Sequence, residues 1–302
     1  MKRVKRSVKK NFSFEAALKS FLGHLEGSGK AHHTIQNYKW DLLRFRDFLY
    51  EQNRQARKTQ ELRMETLEPK DLERFYEDLK LKGQKTNTRR RKVLTAKKFV
   101  TYLSQRKKLS VEFAKKLPAP ARLERTPQVV PRAEILKVIE TLPSETVKDR
   151  RTKLLFWVMS ETGALVSEVV RVRYSDLVRP SGKSPALLKI HGKSARDLEI
   201  SKELLDELLA LQKGSSSDWI FTGYNRNGTL GAPMTPRGVE LLVKHHFQGK
   251  RLTPRGFRHA AVLTWYQEGI SKSEIQKRLG LTSAYAFRVY DLLFEKNHSK
   301  KA

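Results

Sequence analysis

The chain contains no cysteine. That excludes disulfides, a thiolate nucleophile and cysteine-ligated zinc, and it suits a reducing compartment. It also lacks any apolar run near the ~20 residues a membrane span requires, so a soluble protein is expected. The basic start, Met1 to Lys10, is followed by no apolar segment and does not read as a secretory signal. Acids are scarce. Thirty-two Asp and Glu face 62 Lys and Arg, for a formal net charge of +30 and a pI near 10.3. A field of that sign needs a polyanion to neutralise it, and in a cytoplasm that is nucleic acid before an anionic membrane surface. Enzymes of small metabolites rarely carry such an excess.

With 302 residues and 38% hydrophobic content the chain can bury more than one core, and its length suggests two domains. Residues 1–11 form a basic tail suited to phosphates. Helical periodicity then runs through Phe14, Leu18, Phe21, Leu22 and Leu25. Beyond Gly27-Ser-Gly29 it resumes at Ile35, Tyr38, Leu42, Phe45, Phe48 and Leu49. Tyr38 and Trp40 read as packing residues rather than base-stacking ones. Leu67-Glu-Pro-Lys-Asp71 is a helix start with proline in its first turn. After Gly83 a fourth helix opens with Arg89, Arg90, Arg91 and Lys92. Lys97 and Lys98 follow one to two turns on, and the six together are placed to reach phosphates. An all-helical first domain over 12–117 is therefore expected, then a proline-rich linker over 118–131.

From 132 to 302 the pattern is mostly helical. Alternating apolar positions at 187–190 and 198–200, joined across Gly192-Lys193-Ser-Ala-Arg196, predict a β-hairpin. Gly223 to Gly231 reads as a surface loop. The final helices carry Phe257–Glu268, Lys272–Leu279 and Ala284–Leu293.

Three stretches carry chemistry: Thr162-Gly163-Ala164-Leu165-Val166-Ser167-Glu168, the Gly192-Lys193 turn, and Leu252-Thr-Pro-Arg255-Gly-Phe-Arg258-His259 through Leu279-Gly280-Leu281 to Tyr290. In order and spacing they resemble the active-site boxes of the tyrosine recombinases, the Xer and phage-integrase family. Thr34-Ile-Gln-Asn-Tyr38 with Asp41-Leu-Leu-Arg-Phe45 is similar to that family's amino-terminal DNA-clamp domain.

The resemblance implies a mainly α, two-domain clamp: a helical SAM-like core-binding domain, and a mostly helical catalytic-type domain with a small β-sheet. The implied partner is double-stranded DNA, with a homo-oligomer on DNA or an active recombinase as a further partner, in the cytoplasm on the nucleoid. No metal or nucleotide cofactor is implied. In the family a tyrosine hydroxyl attacks a backbone phosphate, two arginines stabilise the five-coordinate phosphate, and a hairpin lysine protonates the leaving oxygen.

Carried over residue by residue, Tyr290 matches the nucleophile, Lys193 the hairpin lysine, Arg258 the second arginine, and His259 the largely structural histidine beside it. Three positions depart from the pattern. Leu165 stands where the first arginine is expected, Arg255 at the leading histidine, and Leu281 at the histidine or tryptophan after Leu-Gly. Three readings follow: a site-specific DNA-binding protein with strand transfer impaired or lost, a working recombinase in which Arg255 compensates, and an RNA-binding protein. No RNA-binding signature with paired aromatics supports the last.

Overall fold

A computed structural model describes residues 13–55, 64, 67–106, 121, 123, 127–213, 217–225 and 228–298. The basic tail at 1–11 and most of the proline-rich stretch at 118–126 lie outside the described residues. The chain divides into two compact units, Met1–Glu124 and Arg125–Ala302. No helix among the described residues is long and apolar enough to cross a membrane.

The first unit is helical: α1 (Phe14–Gly27), α2 (His32–Gln55), α3 (Pro69–Leu81) and α4 (Thr86–Gln105). Ser13 starts α1 by accepting from the Ala16 N–H at 3.3 Å. Asp71 folds back at the start of α3 to accept from the Glu68 N–H at 2.8 Å. The apolar faces meet in a phenylalanine core of Phe14, Phe21, Phe45, Phe48, Phe75 and Phe99, all essentially inaccessible. Each contributes about 1.5–3 kcal/mol by leaving water. Ring pairs such as Phe45–Phe75 at 5.0 Å and Phe14–Phe99 at 5.4 Å adopt tilted geometry. Tyr38 packs edge-on against Phe21. Trp40 does not pack: it is 66% exposed, because it falls outside the stripe of Ile35, Leu42, Phe45 and Leu49 that α2 buries.

The second unit comprises α5 (Arg132–Glu140), α6 (Val147–Thr162), α7 (Val166–Val169), a 3-10 turn (Tyr174–Asp176), β1 (Leu177–Val178), β2 (Ala186–Ile190), β3 (Arg196–Ile200), α8 (Lys202–Gln212), β4 (Thr222–Asn225), β5 (Gly228–Pro233), α9 (Pro236–His246), α10 (Pro254–Gln267), α11 (Lys272–Arg278) and α12 (Ala284–His298). Helix α6 is the axis. It packs on α5, α8 and α10 and buries Leu154, Leu155, Phe156, Val158 and Met159.

The predicted hairpin is β2–β3, registered Ala186↔Ile200 through Ile190↔Arg196, with Ala186, Leu188, Ile190, Leu198 and Ile200 inward. Three strands were not legible. β1 adds to β2 to make a three-stranded antiparallel sheet, and the glycine-rich stretch expected as a loop is the β4–β5 hairpin, a second sheet. Arg151 supports that hairpin from α6. Its guanidinium donates to the Thr222 carbonyl and stacks 4.2 Å from the centre of the Tyr224 ring. The closing helix α12 packs on its own unit, with Leu293 and Phe294 buried and the Phe294 ring 3.8 Å from Tyr266.

Candidate phosphate-binding site

Helix α6 ends at Gly163, which adopts φ 58°. A Cβ there would lie 3.3 Å from both the Ala261 Cβ and the Trp265 ring, so glycine serves the left-handed cap and also the close approach of α10. Leu165 then caps α7. Its N–H donates to Glu168 Oε2 at 2.8 Å, and its side chain is 41% exposed.

Helix α10 begins with Thr253, whose Oγ1 accepts from the Gly256 N–H at 3.2 Å, and with Pro254 in the first turn. This leaves Arg255 exposed and turns Arg258 and His259 inward. Arg258 is 4% exposed and crosses to three elements. Its Nη1 donates to the Gly163 carbonyl at 2.9 Å, Nη2 to the Leu279 carbonyl at 2.7 Å, and Nε to the Tyr290 hydroxyl at 3.3 Å. Burial pushes its pKa down, and the neighbouring Tyr290 and Glu168 push it back. Tyr290 is 2% exposed, with its ring 5.4 Å from Phe287 and 5.6 Å from His259. His259 is buried with Nδ1 unpartnered. Its pKa is lowered to about 4, by burial first and then by Arg255 and Arg258.

Helix α11 ends in a Schellman turn. Leu281 N–H donates to the Gln276 carbonyl at 3.0 Å, and Gly280 N–H, at φ 62°, to the Lys277 carbonyl at 2.9 Å. Leu281 packs against the cluster containing Ile275, which supplies the apolar contact this cap favours. The next two carbonyls are taken by arginines. Arg196 Nε donates to the Arg278 oxygen at 2.6 Å, and Arg258 takes that of Leu279. Two guanidiniums thus sit at the negative end of the helix and satisfy its last acceptors.

Arg196, unassigned by the sequence reading, also grips Glu168 with both arms, Nη1 to Oε1 at 2.8 Å and Nη2 to Oε2 at 2.9 Å. Burial raises the Glu168 pKa, but the bonds from Arg196 and the Leu165 N–H outweigh it and hold the carboxyl below its usual range. Lys193 is exposed on the turn between β2 and β3. The structure therefore gathers Arg258, His259 and Tyr290 in one buried group, while Lys193 and Arg255 face solvent. Among the described residues no group of three or more histidine and acidic side chains converges as a metal site.

In the first unit Arg91 is already engaged. It pairs with Asp41, which is nearly inaccessible and also accepts from Thr95 Oγ1 at 3.2 Å. Burial raises the Asp41 pKa, and Arg91 opposes it. Arg89 lies over the Tyr76 ring and donates to Thr86 Oγ1 at 3.1 Å. Lys92 is half-buried, and desolvation lowers its pKa. Lys98 is exposed, with Nζ 3.2 Å from the Tyr38 hydroxyl.

Comparison with known proteins agrees across both units. The model of the phage integrase N-terminal SAM-like domain matches residues 18–107, and that of the phage integrase family matches residues 128–295. The chain is similar to tyrosine recombinase XerC of Roseiflexus castenholzii, 26% identical over 299 residues, covering 94% of this chain and 91% of that protein. It is likewise similar to tyrosine recombinase XerA of Pyrococcus furiosus, 25% identical over 291 residues, with 94% and 92% covered. In fold it is similar to the XerH recombinase in a post-cleavage complex with palindromic difH substrate, TM-score 0.71 at 16% identity over 96% of this chain and 84% of that one. It is also similar to a lambda integrase tetramer bound to a Holliday junction, TM-score 0.70 at 14% identity over 93% of this chain and 82% of that one. The chain belongs to the phage integrase family of tyrosine recombinases.

Proposed function

We propose that this chain is a site-specific duplex-DNA-binding protein that keeps the recombinase scaffold with strand transfer impaired. The observation that carries this is the engagement of the guanidiniums. Where the family pattern expects the first arginine, Leu165 presents hydrocarbon. Arg258 spends three of its five N–H bonds on Gly163, Leu279 and Tyr290 and is almost wholly enclosed. A phosphate gaining negative charge would meet neither clamp in place. Loss of one preorganised donor costs about 10²–10³ in rate, and loss of a whole guanidinium at least as much.

Basic side chains at Arg89, Arg90, Lys92, Lys97 and Lys98 and the +30 net charge support duplex binding. So do the DNA-bound assemblies of the structural neighbours, among them a dimer on a core site and a tetramer on a Holliday junction. On this reading the protein acts in the cytoplasm on the nucleoid, as an oligomer on DNA or beside an active recombinase.

A second reading, an active recombinase with a rebuilt pocket, is favoured by Arg255. It is exposed in the first turn of α10, where the helix dipole also favours an anion. Covalent trapping on nicked duplex DNA separates the two. The proposed function expects salt-sensitive binding with no covalent adduct above the Tyr290→Phe background. A robust Tyr290-dependent adduct from the unaltered chain overturns it and means that Arg255 or another cation has rebuilt the pocket.

A further inference from the structure

The turn that carries Lys193 is held by the first residue of β3, which is itself anchored outside the hairpin. Arg196, only 8% exposed at its side chain, donates from Nη1 to the carbonyl of Ser194, the residue after Lys193, at 2.8 Å. The same guanidinium is fixed on its other edges by the Glu168 carboxylate and the Arg278 carbonyl. Gly280 closes the arrangement. A Cβ on it would stand 2.9 Å from the Ser194 Cβ and 3.0 Å from Arg196 Nη1, so the corner after α11 lies directly against the turn. One planar fork thus joins three segments: the end of the Thr-Gly box, the lysine turn and the end of α11. A lysine at 196 would supply the charge at a single point and could not span these acceptors together.

From this geometry we infer that Arg196 is the positioning residue for Lys193, fixing the turn so that the exposed ammonium meets a DNA phosphate. The inference rests on the duplex-binding reading and names one contact within it. Arg196 touches no DNA itself. Its action runs through Ser194, and Glu168 is the anchor that holds the fork.

The test counts phosphate contacts. Binding to a mixed-sequence duplex several helical turns long is measured over a range of salt concentrations. Each phosphate neutralised contributes about 0.9 to the slope of log affinity against log salt. Lys193→Ala should lower the slope by about 0.9, and Arg196→Lys should lower it equally although no charge is lost. The double variant should fall no further. Glu168→Gln provides a second approach if Arg196→Lys folds poorly by circular dichroism. It removes a negative charge, which by itself would favour DNA, yet it should also lower the slope by loosening the fork.

An unchanged slope in a folded Arg196→Lys or Glu168→Gln, a double variant that loses twice as much, or no change on Lys193→Ala would each overturn the inference. Absence of salt-dependent duplex binding in the unaltered chain is a different result, because it removes the DNA-binding reading itself and the inference with it.

Discussion

At the scale of single residues, His259 shows what enclosure does to a titratable side chain. The fold buries it along with Arg258, leaves its Nδ1 without a partner and exposes it to the charges of Arg255 and Arg258. Each of these disfavours the imidazolium, so at neutral pH the ring is uncharged and packs against Tyr290. The sign of the stability effect follows. Between the ordinary value of 6.5 and the folded value of about 4, the unfolded chain binds a proton that the folded chain refuses. Stability therefore falls as pH drops through that window, by on the order of 3 kcal/mol at its lower end. Urea unfolding at neutral pH and near the bottom of the window should show this. His259→Asn should lose that part of the pH dependence, whereas an equal decline in the variant would assign it to other groups. Restoring the family residue at 165 is the complementary probe. If the missing guanidinium is what limits the site, Leu165→Arg should raise Tyr290-dependent adduct by about 10²-fold or more from whatever background the unaltered chain shows. No gain would mean that the block lies beyond position 165, at Arg255, at Leu281 or at Arg258, whose donors are already engaged inside the protein.

At the scale of elements, the sequence was informative wherever one period ran long enough. Phe14, Leu18, Phe21 and Leu25 announce α1, and the alternation of Leu188, Ile190, Leu198 and Ile200 announces β2–β3, because each repeats its burial pattern along a single face. β4–β5 was hidden because Gly223, Gly228 and Gly231 give it the composition of a loop, and part of its support comes from Arg151, more than seventy residues away in α6. The site divides in the same way. Box order and spacing single out Arg258, His259 and Tyr290, which the fold brings together, but nothing local in sequence joins Arg196 to Glu168 and Arg278, or Arg91 to Asp41. These are contacts made by the fold. Asp41 is the bolt between α2 and α4. Asp41→Ala should cost about 1.5–3 kcal/mol in chemical denaturation by removing a charged acceptor from Arg91 and Thr95. Gly163→Ala tests the junction of α6 with α10. Left-handed backbone alone costs a residue with a Cβ about 1–2 kcal/mol, and contact with Ala261 and Trp265 adds to it, so a loss of at least that size is expected. A neutral result would mean that the corner relaxes freely, and that Arg258 does not depend on the Gly163 carbonyl being held in place.

At the scale of the whole molecule, the excess of lysine and arginine raises the question of whether charge or shape selects the partner. Sixty-two cationic side chains against 32 acids would draw in any polyanion, and this attraction alone would not distinguish a duplex from folded RNA. Geometry can distinguish them. A surface built to track B-form phosphates meets a different groove width and the 2′-hydroxyls on an A-form helix. Unlabelled DNA duplex and RNA duplex of equal length, competed against a labelled DNA duplex at matched salt, should therefore separate, with DNA the stronger competitor. The preference should widen as salt rises, because screening weakens diffuse attraction first and leaves the fitted contacts. A protein with 6–10 phosphate contacts loses roughly 10³–10⁵ in affinity between 50 and 200 mM salt, so the comparison has to be made across that range rather than at one point. Equal competition throughout would mean that net charge recruits the partner and that the recombinase scaffold contributes no duplex selectivity. A DNA preference that grows with salt would assign recognition to the fold, with the cationic excess serving to speed encounter.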